Sequence, residues 1–178
     1  RNFFLQKERP DFATARQLIN LMLEHQPKNN ALKSLQQSIN NRTTLTTNSR
    51  IPKFAAYDIN GKPVNNATLS TATVVVAWAS WHYNSISMLQ SMAILQKETK
   101  GEVKVVNICL DYSRAECRRI LNSREIEDVI TICDGKSIDG DVYNLLGMSN
   151  IPDNIVIENG KVTATNLTIE QLNKKLRK

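Results

Sequence analysis

The sequence predicts an α/β protein with a central mixed β-sheet flanked by helices and preceded by an N-terminal helical extension. Three observations predict this class. A short β-branched run, Val74–Ala77, leads directly into a helical pattern, as expected for a strand covered on both faces. A second apolar run at 103–110 also precedes a helical pattern. Asn-Gly pairs at 60–61 and 159–160 lie between short alternating segments and predict two hairpins.

The first 48 residues are interpreted as a helical extension and linker, separate from a second domain at 49–178. Apolar residues recur every three or four positions from about Asp11 to Gln26, which predicts an amphipathic helix. A second helix follows, with Asn30 as its expected cap. The segment 40–49 is polar and is predicted to be a linker.

The second domain begins near Ile51 with the first hairpin. After the strand at 74–77, a helix is expected to begin between Tyr83 and Ser85, with Asn84 or Ser85 as its cap. The later elements are a strand at 103–110, a helix capped by Ser113, a strand at 129–133, a short helix ended by Gly147, a strand at 155–157 paired with 161–165, and a last helix with Thr168 and Gln171 as a capping box.

Composition and charge exclude several classes of function. The chain of 178 residues is 41% hydrophobic and 22% charged, which is ordinary for a globular protein, and no apolar run approaches a membrane span. Its net charge of +6 comes from clusters at 114–124 and 174–178. These clusters have no interleaved aromatic residues, so we expect solvated helix faces and no nucleic-acid partner.

Three cysteines, Cys109, Cys117 and Cys133, show neither a CxxC pair nor the spacing of zinc ligands. Cys109 and Cys133 fall in apolar segments, which favours buried structural thiols. His82 has no second ligand of suitable type near it in the sequence, because His25 lies in the extension. We therefore expect neither a metal site nor a cofactor.

The segment 78–85, WASWHYNS, resembles the WASWCxxC signature of thioredoxin-like proteins, in the TlpA/ResA branch of extracytoplasmic thiol-disulfide oxidoreductases (AhpC/TSA-related). Segments 105–111 (VVNICLD), 151–157 (IPDNIVI) and 158–162 (ENGKV) agree with that family in order and spacing. The resemblance covers about residues 51–178. It implies a thioredoxin-like fold and a bacterial periplasmic or cell-envelope location, with room for a lipid anchor upstream of Arg1.

The positions of the two redox cysteines in this resemblance are held by His82 and Ser85. Thiol-disulfide exchange requires a thiolate and a second sulfur to resolve the mixed disulfide, so this site has no catalytic pair. Met88 and the Leu89-Gln90 pair stand where family members often have a glutamate and a proline. A Ser85 nucleophile with His82 as base would also need an orienting carboxylate and an oxyanion hole, for which the sequence offers no candidate.

The resemblance also implies that Pro152 follows a cis peptide bond and that its loop exposes backbone groups to an extended peptide. The expected binding residues are Trp81, His82, Tyr83, Asn84, Ser85, Ile151 and Pro152. A simpler interpretation is that Pro152 only shapes its loop and that His82 caps the turn. Trp78, Trp81 and Tyr83 are expected to divide between the core and an apolar rim.

Two functions remain open. The first is a redox-inactive domain that binds an extended peptide or a partner protein through the His82–Ser85 turn and the Pro152 loop. The alternative is an extracytoplasmic thiol-disulfide oxidoreductase, by descent or through Cys109, Cys117 or Cys133. If the strands of Cys109 and Cys133 are neighbours, as in the family, those two cysteines are candidates for a disulfide. Thiol exposure with a lowered pKa would separate the two functions.

Overall fold

A computed structural model of the chain describes residues 12–40, 45–126 and 128–177. Within these ranges, six α-helices and seven β-strands follow the predicted order. The helices are α1 (Phe12–His25), α2 (Asn30–Asn40), α3 (Tyr83–Glu98), α4 (Arg114–Ser123), α5 (Asp141–Leu145) and α6 (Ile169–Leu176). The strands are β1 (Ala55–Tyr57), β2 (Pro63–Asn65), β3 (Thr73–Trp78), β4 (Lys104–Cys109), β5 (Ile130–Ile132), β6 (Asp153–Glu158) and β7 (Lys161–Thr165).

Five strands form a mixed sheet in the order β5-β4-β3-β6-β7. Strands β3, β4 and β5 are parallel, while β6 and β7 are antiparallel to their neighbours. The carboxyl ends of β3, β4 and β5 therefore meet at one edge of the sheet, which is where open α/β sheets place their ligand sites. The predicted Asn60-Gly61 hairpin is present as a separate two-stranded sheet, β1-β2.

Helices cover both faces of the sheet. Helices α3 and α6 pack on the face that carries Val74 and Val76, whereas α5 and β2 pack on the opposite face with Val75 and Ala77. Every residue of β3 is buried, as the continuous apolar run predicted. Complete burial of one such side chain contributes about 1.5–3 kcal/mol relative to exposure, so β3 fixes the centre of the fold.

One buried strand position is polar. Asn107 lies in β4, and its Oδ1 accepts a hydrogen bond from Trp78 Nε1 at 2.7 Å. Its Nδ2 donates to Thr131 Oγ1, also at 2.7 Å. All three side chains are buried, so this chain of hydrogen bonds satisfies groups that would otherwise cost stability.

Two expected helix caps are wrong by a residue or more. The side chain of Asn29, not Asn30, accepts a hydrogen bond from Leu32 N at 3.2 Å at the start of α2. At the start of α3, His82 occupies the cap position in place of Asn84 or Ser85, and its side chain makes no capping hydrogen bond. The caps at Ser113 and Thr168 are confirmed, the latter as a capping box with Gln171.

The N-terminal extension is a pair of helices in contact with each other. Ala15 and Ile19 of α1 form a small apolar cluster with Ile39 of α2. Asp11, the expected start of α1, and part of the expected linker at 40–49 lie outside the described residues. The boundary near 49 stays a prediction. Within the described ranges, no helix has the length and apolar character that crossing a membrane requires.

Candidate functional site

The turn between β3 and α3 is held together by Ser85. The Ser85 Oγ lies 2.7 Å from His82 O and 3.1 Å from Ala79 O, and it accepts a hydrogen bond from Ala79 N at 3.1 Å. The side chain is fully buried. Its hydroxyl is therefore committed to the backbone of the turn, and the oxygen is shielded from solvent.

His82 lies at the amino end of α3 and is half-buried. Its ring meets that of Trp81 edge-on, with 6.3 Å between the ring centroids. The Nδ1 atom is buried and has no hydrogen-bond partner among the described residues. His82 thus occupies the N-cap position, as the simpler expectation held, but its side chain makes no capping hydrogen bond.

Three large aromatic side chains are exposed around this turn. Trp81 is 64% exposed and Tyr83 is 76% exposed, while Trp78 is fully buried, so the expected division between core and rim is confirmed. The third is Tyr112, which is 77% exposed and follows β4 at the same edge of the sheet. The sequence prediction omitted Tyr112, although its position just after the VVNICLD strand was a usable signal.

The Pro152 loop lies beside the same edge. The Ile151-Pro152 peptide bond is cis, as expected, and both residues are half-buried. The next residue, Asp153, begins β6 and pairs with Ala77 of β3, so the loop adjoins the end of β3. The fold thus brings the two predicted binding segments, 81–85 and 151–152, to one edge.

The buried carboxylate of Asp153 holds this loop in place through hydrogen bonds to its backbone. Its Oδ2 accepts hydrogen bonds from Ser149 N at 2.7 Å and Asn150 N at 3.2 Å. Burial raises the pKa of this carboxyl group, although the backbone N–H groups that it accepts from act in the opposite direction. Asp153 was not among the sequence-predicted site residues.

The three cysteines come together in the protein interior, near the turn between β3 and α3. Cys109 ends β4, Cys133 follows β5, and Cys117 lies in α4, which connects those strands. All three are buried, as expected, and all three are free thiols, so the Cys109–Cys133 disulfide is not formed. Their sulfur atoms nevertheless lie within 4.8 Å of one another. The sequence spacing gave no sign of this cluster.

The thiols of the cluster differ in acidity because they interact with one another. Hydrogen bonds with Cys117 and Cys133, together with burial, raise the pKa of Cys109. Hydrogen bonds with Cys109 and Cys117 lower the pKa of Cys133, and the Gly135 N–H and the Arg114 cation act in the same direction. The three pKa values are therefore set by contacts within the cluster, where each side chain is at most 1% exposed.

Asp111 connects the cluster to the turn. Its Oδ1 accepts hydrogen bonds from the Ser80 N and Oγ, each at 3.1 Å, while its Oδ2 accepts from Cys109 Sγ at 3.4 Å.

An open cleft of about 740 Å³ lies away from this turn, at the amino end of β3 and β4, where Ala72 and Val103 line it. None of the predicted site residues lines that cleft.

No family model matches the chain, and no curated protein matches its sequence. Solved structures do match. A thiol-disulfide oxidoreductase from Bacteroides fragilis NCTC 9343 is 20% identical, with a TM-score of 0.66 over 72% of this chain and 98% of that one. The thioredoxin domain of a thiol-disulfide oxidoreductase from Bacteroides vulgatus is 15% identical, with a TM-score of 0.66 over 75% and 97%.

A third match extends the comparison to another group of bacteria. A secreted Mycobacterium tuberculosis disulfide oxidoreductase, homologous to DsbE of E. coli, is 14% identical, with a TM-score of 0.57 over 70% of this chain and 94% of that one. Similarity at these identities shows the fold and not the chemistry. The chain therefore has the thioredoxin-like fold that these thiol-disulfide oxidoreductases share.

Proposed function

We propose that this chain is a redox-inactive thioredoxin-like protein that binds an extended peptide or a partner protein through residues 81–85 and 151–152. One observation carries the proposal. Ser85 stands where the resemblance places the second redox cysteine, and its hydroxyl is buried and bonded to the backbone of the turn. A serine oxygen in that place preserves the turn but cannot form or resolve a disulfide.

The surface around the turn supports binding. Trp81, Tyr83 and Tyr112 offer large, rigid apolar areas with polar tips, which is the composition of protein-recognition surfaces. The adjacent Ile151-Pro152 loop is half-buried and lies next to β3. An extended peptide is the occupant that suits a loop and a turn at one sheet edge, because it pairs through its backbone and places alternate side chains in contact.

A thiol-disulfide oxidoreductase is the second candidate, and the comparisons favour it in one respect. The solved structures named above are of thiol-disulfide or disulfide oxidoreductases, one of them a secreted protein. This chain also contains three adjacent thiols, one with a lowered pKa. Against it, all three thiols are at most 1% exposed, whereas exchange requires a thiolate that a substrate can reach. For either candidate function, we propose a bacterial cell-envelope location.

An insulin-reduction assay with dithiothreitol tests the proposal. The native chain is compared with the double variant His82→Cys/Ser85→Cys, which restores the spacing of a redox pair. We expect the native chain to be inactive and the double variant to reduce insulin. Activity in the native chain would overturn the proposal in favour of the second candidate, and its loss in Cys109→Ser, Cys117→Ser or Cys133→Ser would identify the thiol.

A binding measurement tests the second part of the proposal, that the turn binds an extended peptide. The probe is a reduced, carboxymethylated insulin B chain, which is extended and contains no free thiol. Trp81→Ala is expected to weaken binding on the order of tenfold or more, as for an aromatic anchor. Tyr57→Ala is the matched control, because Tyr57 is 69% exposed but lies in the separate hairpin. Equal affinities for both variants would contradict the assignment of the turn as the binding surface.

A further inference from the structure

The three cysteines of the thiol cluster have no role in the proposed binding function. Cys109, Cys117 and Cys133 contribute three sulfur atoms within 4.8 Å of one another, and each side chain is at most 1% exposed. Three sulfurs around one point are a soft donor set, which selects thiophilic ions such as monovalent copper. We propose that these three cysteines form a binding site for a single Cu(I) ion.

The cluster lies in a part of the fold where α/β proteins commonly bind ligands. Cys109 and Cys133 stand at the carboxyl ends of the parallel strands β4 and β5, and Cys117 comes from the helix that connects them. Ligand sites of open α/β sheets lie outside this edge. All three donors therefore come from rigid, adjacent elements, so the site is largely assembled before an ion arrives.

The separation of the sulfurs suits one metal ion. A metal–sulfur bond of about 2.3 Å in a trigonal plane corresponds to sulfur atoms about 4.0 Å apart. The three sulfur atoms already lie within 4.8 Å of one another, so small side-chain rotations are enough to bring them to that separation. A disulfide instead requires about 2.05 Å between two sulfurs and leaves the third without a role.

The number of donors distinguishes Cu(I) from Zn(II). Zinc in proteins takes four ligands in a tetrahedron, whereas Cu(I) is satisfied by three thiolates. The next candidate donor is the Asp111 carboxylate, but it accepts hydrogen bonds from Ser80 and from Cys109 Sγ. It is not within reach of all three sulfurs, as the cluster of mutually close ligand atoms includes the cysteines alone.

The surrounding charges favour an anionic centre. Binding releases to solvent the protons that the three thiols still hold, and three thiolates with one Cu(I) carry a net charge of −2. Arg114 donates from Nε to Cys133 O at 2.9 Å, which places its cation beside the cluster. Cys117 lies in the first turn of α4, where the helix dipole is positive. The Asp111 carboxylate opposes these contributions.

Titration of the reduced full chain with Cu(I), in the presence of a chromogenic Cu(I) chelator as competitor, tests the proposal. We expect one ion per chain and ultraviolet sulfur-to-copper charge-transfer absorption. Cys109→Ser, Cys117→Ser and Cys133→Ser should each lower the affinity more than about 100-fold, since loss of even an outer-shell partner of a metal site costs about 10–100-fold. Met92→Leu is the control, because Met92 is a buried sulfur residue outside the cluster.

Two further measurements keep the test decisive if a variant fails to fold. X-ray absorption of the copper-loaded native chain should show three sulfur neighbours. Mass analysis after exposure to a thiol oxidant should show that bound Cu(I) protects all three cysteines. The proposal is overturned by retention of Cu(I) in the folded Cys→Ser variants, by two sulfur neighbours, by tighter binding of Zn(II) than of Cu(I), or by failure of the native chain to compete with the chelator.

Discussion

The carboxylate of Asp111 receives two hydrogen bonds from Ser80, one from its backbone N and one from its Oγ, each 3.1 Å long. The same carboxylate accepts from Cys109 Sγ at 3.4 Å. Asp111 therefore joins the turn that carries the exposed aromatics to the buried thiols beneath it. The thiol cluster and the proposed binding surface therefore share one hydrogen-bonded side chain.

Asp111→Asn is expected to lower the free energy of unfolding by about 1–3 kcal/mol, because a buried acceptor of charge-assisted hydrogen bonds becomes a neutral amide. Denaturant unfolding measures this loss, and faster amide exchange at Ser80 would locate it at the turn. Asp139→Asn, at an exposed carboxylate, should stay within about 0.5 kcal/mol of the native value. Equal effects of the two substitutions would contradict the assigned role of Asp111.

Ser85→Ala tests whether the hydroxyl is structural. Its removal leaves the buried Ala79 N without its acceptor, so we expect a loss of about 1–2 kcal/mol in unfolding free energy. Ser87→Ala is the matched control on the same helix, since Ser87 Oγ makes only a 3.4 Å bond to Tyr83 O. A Ser85→Ala protein as stable as the control would show that the turn does not depend on this hydroxyl.

Asn107→Ala is expected to destabilise the protein by about 2–4 kcal/mol, because it leaves the buried Trp78 N–H without an acceptor and creates a small cavity. Urea unfolding followed by tryptophan fluorescence measures the loss. Combination with Thr131→Val in a double-mutant cycle gives the coupling between the two side chains. A cost below about 1 kcal/mol for Asn107→Ala would argue against the buried chain of hydrogen bonds.

Asp153 should give the stability a specific pH dependence. Burial raises the pKa of its carboxyl group above the ordinary value of 3.8, so the folded state holds the proton at pH values where the unfolded state has released it. The free energy of unfolding therefore falls as pH rises through the interval between the two pKa values. Asp153→Asn should remove this component. Parallel slopes for the two proteins between about pH 3 and pH 7 would contradict it.

Much of the fold was accessible from local sequence patterns. The β-branched run at 74–77, the Asn-Gly pairs and the Thr168–Gln171 capping box each act within a few residues, and each has its predicted structure. The caps of α2 and α3 were misplaced because several neighbouring polar residues, Asn29 and Asn30 or His82, Asn84 and Ser85, could each precede the helix. Helix ends are the least certain part of any local pattern, so the cap residues became clear only from the backbone geometry.

The amino-acid sequence alone establishes that the turn between β3 and α3 contains no cysteine, because His82 and Ser85 stand at the positions that the resemblance assigns to redox cysteines. It also determined the order of strands and helices, through short-range periodicity. The three-dimensional fold was needed to show that Cys109, Cys117 and Cys133 meet, that Tyr112 belongs to the exposed aromatic rim, and that Asp111 connects the thiols to the turn. These relationships arise because parallel strands bring their carboxyl ends to one edge, so residues far apart in the chain become neighbours in space.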